Sequence, residues 1–343
     1  MPRREVKIGS IKIGGDNPIA VQSMTNVDTA DTEKVAMQCE RLEKAGCEII
    51  RVAAYDIPSA KNIKAIKERT SMPVVADVHF DHRIAVAAIE SGADKVRINP
   101  GNIGSEDNIK AVVDAAKAHH VPIRIGANTG SLSKEYSSMK KSDALVESAL
   151  DNVRTLERLG FYDIVISLKG SNVPLTVEAY RKMASICDYP FHVGITEAGI
   201  YSSSVIKSSI GIGALVLDGL ADTIRVSITG DPVKEVEVAR DILAFCGKRQ
   251  FGPEIISCPT CGRTRIDIEA LAEKVSNIAK QTNKPLKIAV MGCVVNGPGE
   301  ARDADIGIAG GNGEGLIFVK GEPYKKCPED ELLEEFEILL RTF

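Results

Sequence analysis

The chain reads as a (β/α)8 barrel followed by a smaller α/β unit, and three observations predict this. Strand-like and helical patterns alternate about eight times with short connections over the first two thirds. Within the strand-like runs, polar residues recur at period two while branched aliphatics fill the other parity. A break containing Gly252 and Pro253 then separates this region from a second α/β pattern, placing domains at 1–250 and 254–343.

The elements follow in order. A hairpin is expected over Val6–Ile13, turning at Gly9-Ser10, and then an apolar segment, Pro18–Met24. Strands are expected at Glu48–Ala53, Pro73–Phe80, Lys95–Pro100, Pro122–Thr129, Asp163–Lys169, Phe191–Glu197 and Thr223–Ile228. Helices are expected at Thr32–Ala45, Pro58–Arg69, Arg83–Ser91, Glu106–His119, Asp143–Leu159, Val177–Cys187, Ser202–Leu220 and Val233–Phe245. Gly247 to Ser257 reads as a linker. Beyond it come a helix near Asp267–Gln281, strands Pro285–Met291, Asp305–Ala309 and Gly315–Lys320, and a closing helix, Glu329–Arg341. A doubly wound open sheet is the alternative, because alternation alone does not close a barrel.

Composition narrows the function. At 343 residues, 44% hydrophobic and 26% charged, the chain is long enough for a sizeable core and is neither disordered nor collagen-like. A formal charge of -4 offers no global attraction for nucleic acid or anionic lipid. Aromatics are 4% and tryptophan is absent, which argues against a base-stacking platform. Met1 to Lys7 is charged and leads into no apolar stretch, and Ile210 to Ala221 is too short for a span and interrupted by Asp218. A cytoplasmic protein bound to neither nucleic acid nor membrane is the expectation. Eight cysteines in such a chain read as reduced thiols or metal ligands, not as a disulfide framework.

The strand parity points to a site. Arg51, Asp77, His79, Arg97, Asn99, Arg124, Asn128, Lys169, Arg225 and Ser227 fall on the polar parity, which in a barrel faces the lumen. Four arginines and a lysine aimed into one cavity are costly as a structural core. One account is a buried salt-bridge network with Asp77 and Glu197. The favoured one is an anion site at the C-terminal mouth, suited to a diphosphate. Ser208 to Gly213 is a further, weak candidate for binding phosphate through backbone N–H groups.

The second unit carries Cys258-Pro-Thr-Cys261-Gly-Arg263 and Met291-Gly-Cys293 running into Asn296-Gly-Pro-Gly-Glu300. Cys258, Cys261 and Cys293 are three soft ligands for iron–sulfur or zinc. On chemistry alone the fourth ligand is open between Cys327, which would close an all-cysteine site, and Glu300, an exchangeable oxygen donor. Cys327 also reads as a free surface thiol. Cys39, Cys47, Cys187 and Cys246 sit in or beside helical patterns as packing residues.

These two cysteine motifs closely resemble those of the bacterial 4-hydroxy-3-methylbut-2-enyl diphosphate synthase family. So do Ala76-Asp-Val-His-Phe80, Arg97-Ile-Asn-Pro-Gly-Asn-Ile-Gly104, Pro122 to Leu132 and Val193-Gly-Ile-Thr-Glu-Ala-Gly199, and the likeness runs essentially end to end. The resemblance implies the two-domain form and a [4Fe–4S] cluster on Cys258, Cys261, Cys293 and Glu300, setting Cys327 aside. It implies reductive opening of 2-C-methyl-D-erythritol 2,4-cyclodiphosphate, with flavodoxin or ferredoxin as electron donor. The lumen residues Arg51, Arg97, Asn99, Arg124, Asn128, Lys169, Arg225 and Ser227 would hold this dianion. Glu197, or His79 with Asp77, would supply the proton that lets water leave.

The last helix of a barrel ends away from the catalytic mouth, so the second unit is tethered at the far face. A head-to-tail homodimer, each second unit closing its neighbour's barrel, resolves this by symmetry, and the resemblance implies the same. Two rivals remain. A binding protein with a structural zinc module would be colourless, and a bare electron carrier leaves the inward arginines unexplained. A pterin-binding type of barrel enzyme would leave the cysteines unexplained.

Overall fold

The computed structural model describes residues 3–132, 134–264, 266–282, 284–293 and 301–343. They fall into two compact units, Met1–Arg249 and Gln250–Phe343.

The first unit opens with the hairpin β1 (Val6–Ile8) and β2 (Ile11–Ile13), in which Ile8 pairs with Ile11. Eight parallel strands follow: β3 (Ala20–Met24), β4 (Ile49–Ala53), β5 (Val74–Asp77), β6 (Lys95–Ile98), β7 (Ile123–Asn128), β8 (Ile164–Lys169), β9 (His192–Val193) and β10 (Thr223–Ile224). Hydrogen-bonded neighbours run β8-β7-β6-β5-β4-β3-β10-β9. A parallel bridge between Ile166 and Phe191, with Ile166 N–H donating to the Pro190 carbonyl at 2.9 Å, brings the two ends together. The sheet is therefore a near-closed barrel and not an open, doubly wound one.

Helices return the chain between strands: α1 (Thr32–Lys44), α2 (Ile57–Lys67), α3 (His82–Glu90), the short α4 (Pro100–Ile103), α5 (Glu106–His119), α6 (Lys141–Arg158), α7 (Val173–Ala184), α8 (Tyr201–Leu217) and α9 (Pro232–Phe245). Their starts are written in the sequence as side-chain caps. Asp31, Asp56, Asp81, Ser105, Asn172 and Asp231 each accept a backbone N–H from the first turn, satisfying donors the helix itself leaves open.

The period-two pattern sorts the strand side chains. Ile50, Val52, Val74, Val96, Ile98, Ile125, Ile166 and Ile224 are all inaccessible to solvent and share the parity facing the helices, each stabilising the fold by about 1.5–3 kcal/mol. On the other parity, Ala20, Ile49, Val75 and Val165 pack with Val6, Ile8 and Ile13 of the hairpin. The hairpin thus plugs the floor of the lumen with apolar residues, and the polar residues lie above it.

Three expectations change. β9 and β10 are two residues each, where Phe191–Glu197 and Thr223–Ile228 were read as longer strands. Beyond them the backbones approach too closely for side chains: a Cβ on Gly194 would lie 2.6 Å from the Arg225 carbonyl oxygen. Ser208 to Gly213 lies inside α8, where backbone N–H groups already bond within the helix, so it offers no phosphate cradle. The short α4, following Asn99, escaped the periodicity because a single turn has none.

The second unit is a five-stranded sheet in sequential order: β11 (Glu254–Ser257), β12 (Lys287–Met291), β13 (Ile306–Gly310), β14 (Glu314–Val319) and β15 (Glu322–Pro328). β11 to β13 are parallel, and β14 and β15 return antiparallel. α10 (Ile268–Ala279) and α11 (Leu332–Thr342) contribute Val275, Leu332, Phe336 and Leu340 to a core with Ile288, Ile308 and Ile317. The expected linker is shorter than Gly247 to Ser257, since Glu254–Ser257 is itself a strand. β15 was not expected at all.

Candidate active site

Arg124 on β7 defines the lumen of the barrel. It is wholly buried, and its Nε, Nη1 and Nη2 have no hydrogen-bond partner among the described residues. An unpaired buried guanidinium costs several kcal/mol, so the site calls for something that supplies acceptors. Burial, with Arg51 and Arg97 nearby, pushes its pKa well below the usual arginine range.

Asp77, at the end of β5, is the acidic hub. Its carboxylate lies 3.4 Å from Arg97 Nη1, 3.9 Å from Arg51 Nε and 3.3 Å from His79 Nε2. Burial pushes its pKa up, but Arg51, His79, Arg97 and Arg124 outweigh it and hold the group well below the ordinary carboxylate range. His79 also sets Nδ1 3.3 Å from Arg97 Nη1 while remaining exposed at the mouth. Arg51 places Nε and Nη2 2.9 and 2.8 Å from Met24 Sδ, a weak acceptor. Burial brings Arg51 down to about 10. Arg97 lies across Gly126, where a Cβ would stand 2.7 Å from its Nε; only glycine leaves room for the guanidinium.

The salt-bridge account therefore holds for part of the lumen. Asp77 pairs with Arg51 and Arg97, and Glu197 takes no part in that network. Arg225 is paired too, with a carboxylate the sequence did not suggest. Glu235 of α9 is buried and accepts from Arg225 Nη2 at 3.1 Å and Nε at 3.3 Å, from Ile228 N–H at 3.0 Å and from Ser23 Oγ at 3.1 Å. Arg124 and Lys169 have no ion-pair partner among the described residues, although Asp77 attracts Arg124 through space. Burial and the surrounding arginines hold the Lys169 ammonium well below its usual range.

The remaining mouth residues lie just past the strand ends. Asn99 precedes α4, and the Asn128 side chain accepts from Gly130 N–H at 3.1 Å. Ser227 follows β10, its carbonyl accepting from Ser204 Oγ at 2.7 Å. Lys169, His192, Thr196, Arg225 and Ser227 line one small cavity. Glu197 stands exposed on the loop after β9 with a φ of +53°, a left-handed backbone that costs a non-glycine residue about 1–2 kcal/mol. The loop is fixed on either side by Thr196 N–H to the Gly170 carbonyl and Thr229 N–H to the Gly199 carbonyl.

Sequence reasoning missed Lys95 and Gln22. Lys95 is fully buried and donates to Gln22 Oε1 at 3.4 Å. Its parity with Arg97 is the same period-two signal that singled out the arginines. Glu235 carried no such signal, because it reaches the site from a helix.

In the second unit, β11 and β12 run parallel with Ser257 beside Val290, so Cys258 and Cys293 leave adjacent strands at the same end. Gly292 N–H donates to Cys258 Sγ at 3.2 Å, tying the two loops together. Cys261 is exposed; the Arg263 backbone N–H, the Arg263 side chain and Thr264 draw its thiol below the ordinary range. Among the described residues no three His, Cys, Asp or Glu side chains already converge as a metal cage. The donor set nonetheless fits a thiolate-bound group: three soft ligands on neighbouring loops, one thiol biased towards thiolate. Glu300 lies outside the described residues. Cys327 is a buried core residue of β15, not a surface thiol, and lies three strands beyond β12. Cys39 and Cys47 are buried, and Cys187 and Cys246 half-buried.

Two family models match the chain: the GcpE TIM-barrel domain over residues 3–240 and the GcpE protein C-terminal domain over residues 254–342. The chain belongs to the GcpE family. A curated relative from Caldanaerobacter subterraneus subsp. tengcongensis, the 4-hydroxy-3-methylbut-2-en-1-yl diphosphate synthase (flavodoxin), is 62% identical and covers 97% of this chain and 94% of its own. The protein of the same name from Desulfotalea psychrophila is 53% identical, covering 98% and 94%. Among solved structures, the Yersinia pestis dihydropteroate synthase aligns with a TM-score of 0.53 at 12% identity over 71% of this chain and 97% of that one. The type I 3-dehydroquinate dehydratase of Clostridium difficile aligns with a TM-score of 0.52 at 15% identity, over 72% and 100%. At such identities these two speak to the barrel alone.

Proposed function

We propose that this chain catalyses the reductive ring opening of 2-C-methyl-D-erythritol 2,4-cyclodiphosphate to (E)-4-hydroxy-3-methylbut-2-enyl diphosphate and water, a step in isoprenoid precursor biosynthesis, with electrons from reduced flavodoxin. The observation that carries it is Arg124, wholly buried with three nitrogens and no acceptor among the described residues. Such a group calls for an anion, and the curated relatives carry the name of an enzyme whose product is a diphosphate.

Arg51, Arg97, Arg124 and Lys169 bind the diphosphate, joined by the edge of Arg225 that Glu235 leaves free. Asn99, Asn128 and Ser227 fix its orientation at the mouth. The reaction consumes two electrons and one proton. The C2–O bond breaks, the C3 hydroxyl leaves as water with the added proton, and a C2=C3 double bond remains. The freed phosphate oxygen carries a new negative charge, which the unpaired lumen cations stabilise.

Glu197 supplies the proton. The supporting observation is its left-handed backbone on a loop pinned at both ends, the kind of strain that persists where position matters. His79, hydrogen-bonded between Asp77 and Arg97, is the second candidate donor. Cys258, Cys261, Cys293 and Glu300 would hold a [4Fe–4S] cluster, which when bound supplies electrons one at a time.

The working form is a head-to-tail homodimer in the cytoplasm. Residues 246–253 connect α9 to β11 and span at most about 25–30 Å, a short tether that supports the head-to-tail reading. No described helix is long and apolar enough to cross a membrane.

The test is anaerobic purification with iron and sulfide analysis, followed by turnover of the cyclodiphosphate with a chemical reductant. Bound iron with inorganic sulfide and formation of the linear diphosphate are expected. A sulfide-free protein, or one inert towards the cyclodiphosphate when loaded, overturns the reading.

A further inference from the structure

Beneath the substrate-facing arginines, the lumen holds a second polar layer that the reaction does not use. Lys95 lies two residues before Arg97 on β6 and points the same way. It is wholly buried, and its Nζ has one described partner, Gln22 Oε1 of β3, at 3.4 Å. The groups facing it are Arg51 from β4, Arg124 from β7 and His192 from β9. From β5 its register partner is Val75, and Asp77 one step above is engaged by Arg51, Arg97 and His79.

The surroundings of Lys95, which include Arg51 and Arg124 of the anion site, are rich in donors and poor in acceptors. Gln22 Nε2 and all three Arg124 nitrogens are buried without partners among the described residues. An ammonium at Lys95 would add three more donors against one distant oxygen, beside two guanidinium groups. A buried base so placed gives up its proton rather than stay charged. Burial first, then Arg124 and Arg51, hold Lys95 well below the usual lysine range. A dianion bound at Arg124 would pull the other way, since opposite charge within about 4–6 Å raises the pKa of a base by 1–3 units.

We propose that Lys95 is a proton-uptake site coupled to the anion site: neutral in the empty barrel, it becomes an ammonium when a dianionic ligand settles on Arg124, taking one proton from solvent. The device spares the empty lumen one repelling charge and adds that charge when the ligand is present. This rests on the reading of the lumen as a diphosphate site. The sign follows directly. Between the free and bound pKa values, binding consumes a proton, so affinity weakens as pH rises, by about tenfold in Kd per pH unit.

The experiment is calorimetric titration of oxidised, full-length protein with the cyclodiphosphate at about pH 8, above the ordinary histidine range, in two buffers of different ionisation enthalpy. Without reductant there is no turnover, and both phosphoryl groups of the cyclic diphosphate are already ionised, so any proton taken up goes to the protein. Lys95→Met is expected to take up about one proton per site fewer than the wild type, any proton taken by Lys169, held down in the same way, being common to both; methionine preserves the volume of the lysine stem. Binding without proton uptake in the wild type overturns the proposal and leaves the anion site standing, and this arm does not depend on the variant folding. Undiminished uptake in Lys95→Met also overturns it, passing the role to Lys169. The absence of any binding heat defeats the diphosphate site itself, and this proposal with it.

Discussion

Glu235 grips Arg225 with both carboxylate oxygens, at 3.1 and 3.3 Å, from a helix outside the barrel wall. The same carboxylate accepts the Ile228 N–H and the Ser23 hydroxyl. One buried side chain therefore fixes the β10 arginine, the segment carrying Ser227, and the neighbouring strand β3. Arg225 spends Nε and Nη2 on this contact, so only its Nη1 edge remains for a ligand.

Glu235→Gln is accordingly expected to weaken substrate binding more than it slows chemistry. Hydrogen bonds to charged groups contribute about 1.5–3 kcal/mol, so KM for the cyclodiphosphate should rise roughly tenfold to hundredfold, with a smaller change in kcat. Steady-state kinetics of the reduced enzyme measures this. An unchanged KM would mean that Arg225 finds its position without Glu235.

Arg124 sets stability against function. With no partner among the described residues for three buried nitrogens, it destabilises the ligand-free barrel. Replacing buried charges with apolar residues of similar volume is often neutral or stabilising by about 1–4 kcal/mol. Arg124→Met should therefore unfold at higher urea in the barrel transition and lose substrate binding by about a hundredfold or more. Urea titration followed by circular dichroism, alongside turnover, checks both halves. A less stable variant would show that Arg124 is a structural residue.

What could be read in advance follows from where each signal lies. Arg51, Arg97 and Arg124 were legible because strand parity is local and a charge among branched aliphatics stands out. Lys95 carried the same signal at the first residue of its strand. Glu235 was not legible: its helix is amphipathic either way, and its bond to Arg225 depends on the closure of β10 against β3. β11 and β15 escaped for another reason. Both are edge strands with mostly accessible residues, and β15 carries Lys325 and Lys326, the charged, weakly alternating type that keeps an edge from pairing with other chains. The two cysteine motifs were plain in the sequence, whereas the place of Cys327 needed the order of the sheet.

That order yields the last prediction. Cys327 pairs with Gly315 on β14 and packs in the core with Leu332 and Phe336. Three strand spacings, about 14 Å, separate its strand from β12, which leads into Cys293. Sulfurs that far apart cannot bind one compact cluster, while Cys258 and Cys293 leave neighbouring strands. Cys327→Ala should keep the full iron and sulfide content and lose about 0.5–3 kcal/mol of stability in the second unit. Cys258→Ser should lose the iron. The measurement is iron and sulfide per chain after anaerobic purification of each variant. If Cys327→Ala emptied the site as completely as Cys258→Ser, the ligand set would have to include the far edge of the sheet, against the strand order that separates them.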